Sequence, residues 1–156
     1  MGKGSQPKHR QAARELRRRA AQRQPAERLL IVCEGSKTEP LYLNEIRQQL
    51  RLPSANVQVQ PAGYGTEPLR IVEYAEDLFT EGSRGLGIHA RSFDRVVAGF
   101  DRDEHRTYHD ALERAAALNE RLENDENVKV PFEAVASVPC FESWLLLHFE
   151  DVPAPL

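Results

Sequence analysis

Acidic residues follow two of the most apolar runs in the chain, and these acids are the side chains best placed to do chemistry. Glu34 comes directly after residues 29–33, and Asp101 and Asp103 follow residues 96–100. Short β-branched runs are typical of buried parallel strands, whose carboxyl ends bind ligands in open α/β sheets. Carboxylates gathered there can hold a hard divalent cation beside a phosphate. We therefore predict that Glu34, Asp101 and Asp103 bind Mg²⁺ or Mn²⁺ and take part in phosphodiester chemistry.

The apolar pattern along the chain alternates between strand and helix spacing, which predicts an α/β fold. Strands are predicted at residues 29–33, 57–61, 93–100 and 128–138, and helices at 38–52, 68–79, 108–122 and 139–149. The first helix is expected to have Thr38 as its N-cap and Leu41, Leu43, Ile46 and Leu50 on its apolar side. Such alternation is typical of a mostly parallel sheet with helices on both faces. The strand order 2-1-3-4 would bring Glu34 and the Asp-x-Asp pair together at a switch point.

Charge is distributed unevenly along the 156 residues, which are expected to form one domain. Nine of the 21 Lys and Arg lie in residues 1–28 against two Glu, a net charge of +7. The remaining 12 basic and 22 acidic residues give residues 29–156 a net charge of −10. We predict a basic, unstructured arm at residues 1–27, a folded domain at 28–150 and a tail at 151–156. The arm could contact a phosphate backbone or an acidic partner, or serve only as a solvated tail.

Several other classes of protein are disfavoured by the composition. The first residues lack the apolar segment typical of a secretory signal, so none is expected, and no apolar stretch reaches the roughly 20 residues that a membrane-spanning helix needs. Cys33 and Cys140 are the only cysteines, and their apolar surroundings predict free thiols in a reducing cytosol rather than a zinc site. A Walker loop and a nucleophile elbow are both missing. We therefore expect a cytoplasmic protein with no membrane partner.

Four weaker candidates surround the three main acids. Glu142 lies near the start of the last predicted helix and is either a fourth metal ligand or an ordinary acid at the helix N-terminus. Lys37 and His105 could contact a substrate phosphate or be plain surface residues. Glu39 is either a second acid in the Glu34 loop or a charge that favours the helix dipole, and we prefer the dipole interpretation.

Three spaced motifs resemble the RloB family, whose domain is similar to the Toprim fold of topoisomerases, primases and overcoming-lysogenization-defect nucleases. The motifs are Val32-Cys33-Glu34-Gly35-x-x-Thr38-Glu39-Pro40-x-Tyr42, Phe100-Asp101-Arg102-Asp103 and Pro139-Cys140-Phe141-Glu142-x-Trp144-Leu145-Leu146-x-His148-Phe149. In Toprim domains a glutamate follows the first strand and an Asp-x-Asp follows the third. The resemblance implies a Rossmann-type three-layer sandwich.

The resemblance also implies a function, namely metal-dependent cleavage of DNA or RNA. Asp101 and Asp103 would hold Mg²⁺, and Glu34 would act as a metal ligand or general acid/base. RloB-like proteins are linked to anti-phage or abortive-infection loci beside an ATPase partner. Two alternatives stay open: a nucleic-acid-binding or regulatory subunit that depends on the ATPase or has no activity, and a phosphohydrolase that acts on a small nucleotide.

Overall fold

The computed structural model describes residues 26–102 and 105–149, so the predicted tail and almost all of the predicted basic arm lie outside the described residues. The elements are β1 (Leu29–Cys33), α1 (Thr38–Gln49), β2 (Val57–Pro61), α2 (Pro68–Thr80), β3 (Arg95–Asp101), α3 (Tyr108–Leu118), β4 (Leu122–Glu123), β5 (Lys129–Val130), β6 (Phe132–Ser137) and α4 (Phe141–Leu146). In the described part of the chain, no helix has the length and apolar character needed to cross a membrane.

The four long strands form one parallel sheet in the order β2-β1-β3-β6. This order confirms the predicted 2-1-3-4 arrangement, because β6 is the fourth long strand along the chain. The chain passes from β1 to β2 on one side and then returns to place β3 on the other side of β1. The carboxyl ends of β1 and β3 are therefore neighbours at a topological switch point, where α/β folds bind their ligands.

The main core lies on the face of the sheet that α2 and α3 cover. Alternate residues of the strands, such as Leu30 and Val32 of β1, are fully buried against these helices. The predicted apolar side of α2 is confirmed, since Ile71, Val72, Ala75, Leu78 and Phe79 are all buried. This face supplies most of the apolar burial that stabilises the domain.

The opposite face is covered less completely, by α1 and α4. Leu43 and Ile46 of α1 are half-buried, but Leu41 and Leu50, predicted to point inward, are 69% and 64% exposed. The prediction was wrong for Leu50 because α1 ends at Gln49, which leaves Leu50 as its C-cap. Thr38 is also not the N-cap: Lys37 holds that position, and no side chain caps the helix.

The segment predicted as one strand at residues 128–138 is divided into two. Its first part, β5, pairs antiparallel with β4, and its second part, β6, pairs parallel with β3. The predicted third helix is shorter than expected, since α3 ends at Leu118 and Glu120 adopts a left-handed conformation with φ of 56°. That reversal starts the short β4–β5 hairpin, which has no strong sequence signal because each of its strands has two residues.

A network of charged side chains joins the amino end of β1 to the loops before β3 and β5. The Arg28 guanidinium donates to Asp94 Oδ1 at 2.8 Å and to Asp125 Oδ1 at 2.7 Å. Asp94 Oδ1 also accepts from Asn124 Nδ2 at 2.8 Å, and Asn124 is 1% exposed. The hydrogen bond from Arg28 is the main reason that the pKa of Asp94 lies below its usual range.

We predict that Asp94→Ala lowers the free energy of unfolding by about 1–3 kcal/mol, because it leaves Asn124 and Arg28 without a shared acceptor. The stabilisation is present above the usual Asp pKa and is lost as the pH falls through the lower pKa of folded Asp94. The difference between wild type and variant should therefore shrink in acid. Urea denaturation at a series of pH values measures this difference in the free energy of unfolding, with the exposed Glu113→Ala as control. A difference that does not change with pH would contradict the role of the Asp94 charge.

Candidate active site

Glu34 and Asp101 meet where β1 and β3 end. Glu34 Oε2 accepts a hydrogen bond from the Asp101 backbone amide at 2.8 Å. The parallel ladder continues beyond β1, because the Glu34 amide donates to the Gly99 carbonyl at 3.0 Å. The Glu34 side chain is 15% exposed, and Asp101 is half-buried. The structure thus brings together the two acidic strand ends that the sequence singled out.

The Asp101 carboxylate is held from the opposite side by the start of α4. Its Oδ1 accepts from the Phe141 backbone amide at 2.9 Å, and the Arg102 amide donates to the Ser137 carbonyl at 2.8 Å. Asp101 therefore links three elements through hydrogen bonds. Its amide donates to Glu34 after β1, and its carboxylate accepts from the first residue of α4. The amide of the next residue, Arg102, donates to the end of β6. These contacts orient the carboxylate through backbone groups, which are less mobile than side chains.

Glu39 is buried beside this acid pair, although its position in the sequence suggested only a dipole charge. It lies in the first turn of α1, is 7% exposed, and accepts a hydrogen bond from the Gly35 amide through Oε2. A Cβ atom at position 35 would collide with that oxygen, so any residue other than glycine would require the Glu39 side chain to shift. Burial is the main cause that raises the pKa of Glu39 to about 7; the Gly35 hydrogen bond opposes the shift, and the charges of Asp101, Glu34 and Glu142 add to it.

Glu142 lies in the same acidic region, because its charge contributes to the raised pKa of Glu39. Glu142 is exposed in the first turn of α4 and directly follows Phe141, whose amide binds Asp101. Asp103, the third predicted main acid, falls outside the described residues. Among the residues that are described, no group of three or more His, Cys, Asp or Glu has a geometry that could hold a metal. The ligand set Glu34, Asp101, Asp103 and Glu142 therefore stays a prediction.

The chemistry of the donors present fits a hard divalent cation. Glu34 and Asp101 supply carboxylate oxygens at one sheet edge, and oxygen is the ligand atom that Mg²⁺ and Mn²⁺ prefer. Burial is the main cause of the raised pKa of Glu39, and the neighbouring charges of Asp101, Glu34 and Glu142 raise it further, so carboxylates lie close together here. A cation would offset that repulsion.

Basic side chains occupy the loops that leave the same edge. His105 Nε2 lies 3.9 Å from Glu34 Oε1, and exposed Lys37 precedes α1 in the loop after Glu34. The sequence pattern indicated both residues but not Arg102, which is exposed directly after Asp101, with its guanidinium carbon 5.9 Å from the centre of the Tyr108 ring. His105 thus lies near the Glu34 carboxylate, while Lys37 and Arg102 are exposed in the segments that follow Glu34 and Asp101.

The aromatic residues of the first and third motifs fasten α1 to α4. Tyr42 on α1 accepts from Trp144 Nε1 at 3.1 Å, and its hydroxyl lies 2.9 Å from His148 Nε2. The Tyr42 ring also meets the edge of the Phe141 ring, with centroids 5.5 Å apart. We call Tyr42, Trp144 and His148 the aromatic clasp; it steadies the helix whose first amide binds Asp101.

Comparison with family models identifies the family of this chain. Residues 29–155 match the RloB-like protein family, so the chain belongs to that family, as the motifs indicated. Neither a search of curated proteins nor a search of solved structures found a match.

We predict that Glu39→Gln stabilises the protein near neutral pH, because the amide oxygen can still accept from Gly35 while the charge is removed. Glu39 has a folded pKa of about 7 against an ordinary 4.5, so wild-type stability falls as the pH rises from about 4.5 through 7. The gain should be about 1–3 kcal/mol at about pH 8 and much smaller at about pH 5. Thermal melts with a chelator measure it, with exposed Glu113→Gln as the matched control; an equal gain at both pH values would show that Glu39 is not protonated in the native state.

Proposed function

We propose that this RloB-family chain is a Toprim-type nuclease that cleaves phosphodiester bonds in DNA or RNA with Mg²⁺ or Mn²⁺. The observation that carries the proposal is the 2.8 Å hydrogen bond from the Asp101 amide to the Glu34 carboxylate. It joins two acids on neighbouring strand ends at the switch point, which is where this class of fold binds ligands. Membership of the RloB-like family supports the same proposal but does not define a reaction.

Asp101 and Asp103 would hold the cation, with Glu34 and Glu142 as further candidates, and the bound ion would polarise the phosphate and orient a water. Glu34 has one carboxylate oxygen directed to the Asp101 amide and the other near His105. Glu34 and His105 would then act as a proton acceptor and donor beside the reacting phosphate, as general acid–base chemistry requires. Lys37 and Arg102 would offset the charge of the scissile phosphate from the two flanking loops.

We predict that Asp101→Asn reduces metal-dependent cleavage of labelled DNA or RNA by at least about 100-fold, because it removes a carboxylate charge at the cation. Glu34→Gln should have a similar effect while keeping an acceptor for the Asp101 amide. Cleavage is followed on gels with Mg²⁺, Mn²⁺ or chelator.

Matched controls separate this effect from general damage to the protein. Exposed Asp110→Asn and Glu113→Gln make the same chemical changes on α3 and should leave cleavage within about twofold. Cleavage that persists in the double variant Glu34→Gln, Asp101→Asn would overturn the proposed site. Nucleic-acid binding without turnover, even with the ATPase present, would favour the regulatory-subunit alternative.

We further propose that the protein acts in anti-phage defence together with an ATPase, a role supported by family membership alone. Co-expression with the proposed ATPase partner is expected to lower phage plating by at least about tenfold, and Asp101→Asn should abolish the protection if cleavage is the effector step. Plaque counts with each protein alone provide the control. Equal protection by the Asp101→Asn variant would separate any defence role from the nuclease site.

A further inference from the structure

An apolar groove lies on the incompletely covered face of the sheet. It encloses a cavity of about 590 Å³, within the size range of small-molecule sites. Side chains of three strands make its floor, and the facing sides of two helices make its walls. The residues that matter are Ile31, Val97 and Val135 on the floor, Tyr42 on the α1 wall, and Trp144 and Leu147 on the wall formed by α4 and the turn after it.

One end of this groove borders the acid pair. Cys33 and Phe100 line the groove, and each directly precedes one of the two acids, Glu34 and Asp101. Phe141 also lines it while its amide binds Asp101. A ligand that lies in the groove and extends past these residues therefore arrives at the proposed phosphodiester site.

The chemistry of the groove fits a neutral, flat, aromatic group. Among the described residues that line it there is no Lys or Arg, so they offer no partner for a phosphate backbone. Glu39, the one carboxyl group among these lining residues, is buried and directed to the Gly35 amide. Trp144 is 50% exposed on one wall and presents a surface on which a base can stack.

We propose that the groove binds an unpaired nucleobase, so that the preferred substrate is single-stranded nucleic acid or a strand with an extruded nucleotide. The inference rests on the proposed function for the position of the phosphate, which would lie at Glu34 and Asp101. A base within a duplex is stacked and paired, and it would have to leave the helix to enter the groove. An apolar segment of another protein, or a second copy of this chain, is the competing occupant.

Trp144 gives a direct readout, since it is the only tryptophan in the 156 residues. Its fluorescence is titrated with a short single-stranded oligonucleotide, the same length of abasic strand and the matching duplex, all in chelator so that nothing is cleaved. We expect quenching by the single strand with an affinity at least about tenfold tighter than for the abasic strand or the duplex. Equal affinities for all three ligands would overturn the proposal.

Val135→Gln tests the groove with a matched control. Val135 on the floor and Val128 before β5 are 53% and 54% exposed, and only Val135 lines the groove. Glutamine adds no charge, so phosphate attraction is unaltered. We expect Val135→Gln to weaken single-strand binding at least about fivefold and to remove the preference over abasic strand, whereas Val128→Gln keeps both.

A second pair of variants guards against local misfolding. Leu147→Gln should act like Val135→Gln, and Leu50→Gln, 64% exposed against 55% for Leu147 but outside the groove, should act like wild type. Equal effects of groove and control variants would overturn the inference. So would concentration-dependent dimerisation that only the groove variants abolish, with no preference for single strands, because the occupant would then be a second copy.

The outcomes also separate this inference from the nuclease proposal. If the protein binds single strands through the groove but never cleaves them, the base-binding proposal stands and the nuclease proposal is rejected. If metal-dependent cleavage does not depend on Val135, on Leu147 or on whether the substrate is single-stranded, the nuclease proposal stands and the base-binding proposal is rejected.

Discussion

The hydrogen bond between the Glu34 carboxylate and the Asp101 amide is the constraint on which the candidate site depends. Placing two acids at adjacent strand ends is unfavourable unless polar groups or a cation compensate their charge. Here each carboxylate receives a backbone amide from a different element: Glu34 from the end of β3, and Asp101 from the start of α4. Because those amides are held by the sheet register and by α4, the positions of the two acids follow from the fold rather than from side-chain rotamers alone.

The position of α4 is in turn secured by contacts distant in sequence. A six-residue helix is too short to be stable alone in water, so it needs tertiary support. The aromatic clasp supplies that support by joining Tyr42 to Trp144 and His148. The three motifs are therefore one physical unit: the first provides Glu34, Gly35 and Tyr42, the second provides Asp101, and the third provides the amide and the aromatic residues that hold it.

The parts of this arrangement that were predictable are those encoded by local pattern. Strand-length apolar runs located β1 and β3, and their alternation with helices led to the observed strand order. The burial of Glu39 was not predictable, because it depends on how α1 returns over Gly35 and not on the dipole preference of a first-turn acid. The outward orientation of Leu41 was missed for a related reason, since helical spacing alone does not tell how much of a helix the sheet covers. The β4–β5 hairpin is too short to produce a pattern at all.

The two faces of the sheet differ in how completely helices cover them, and the groove proposed for recognition lies on the more open face. The side chains that α2 and α3 cover are almost completely buried, whereas the other face retains an open apolar groove beside an acidic edge. With residues 29–156 at a net charge of −10, the folded body would repel a phosphate polymer at long range. Association with nucleic acid therefore needs compensating positive charge, which the sequence concentrates in residues 1–28 and which a divalent cation would add at the acids. On this view residues 1–28 supply non-specific attraction to the phosphate backbone, and Glu34 and Asp101 supply the cleavage chemistry. The apolar groove would then distinguish a single strand from a duplex.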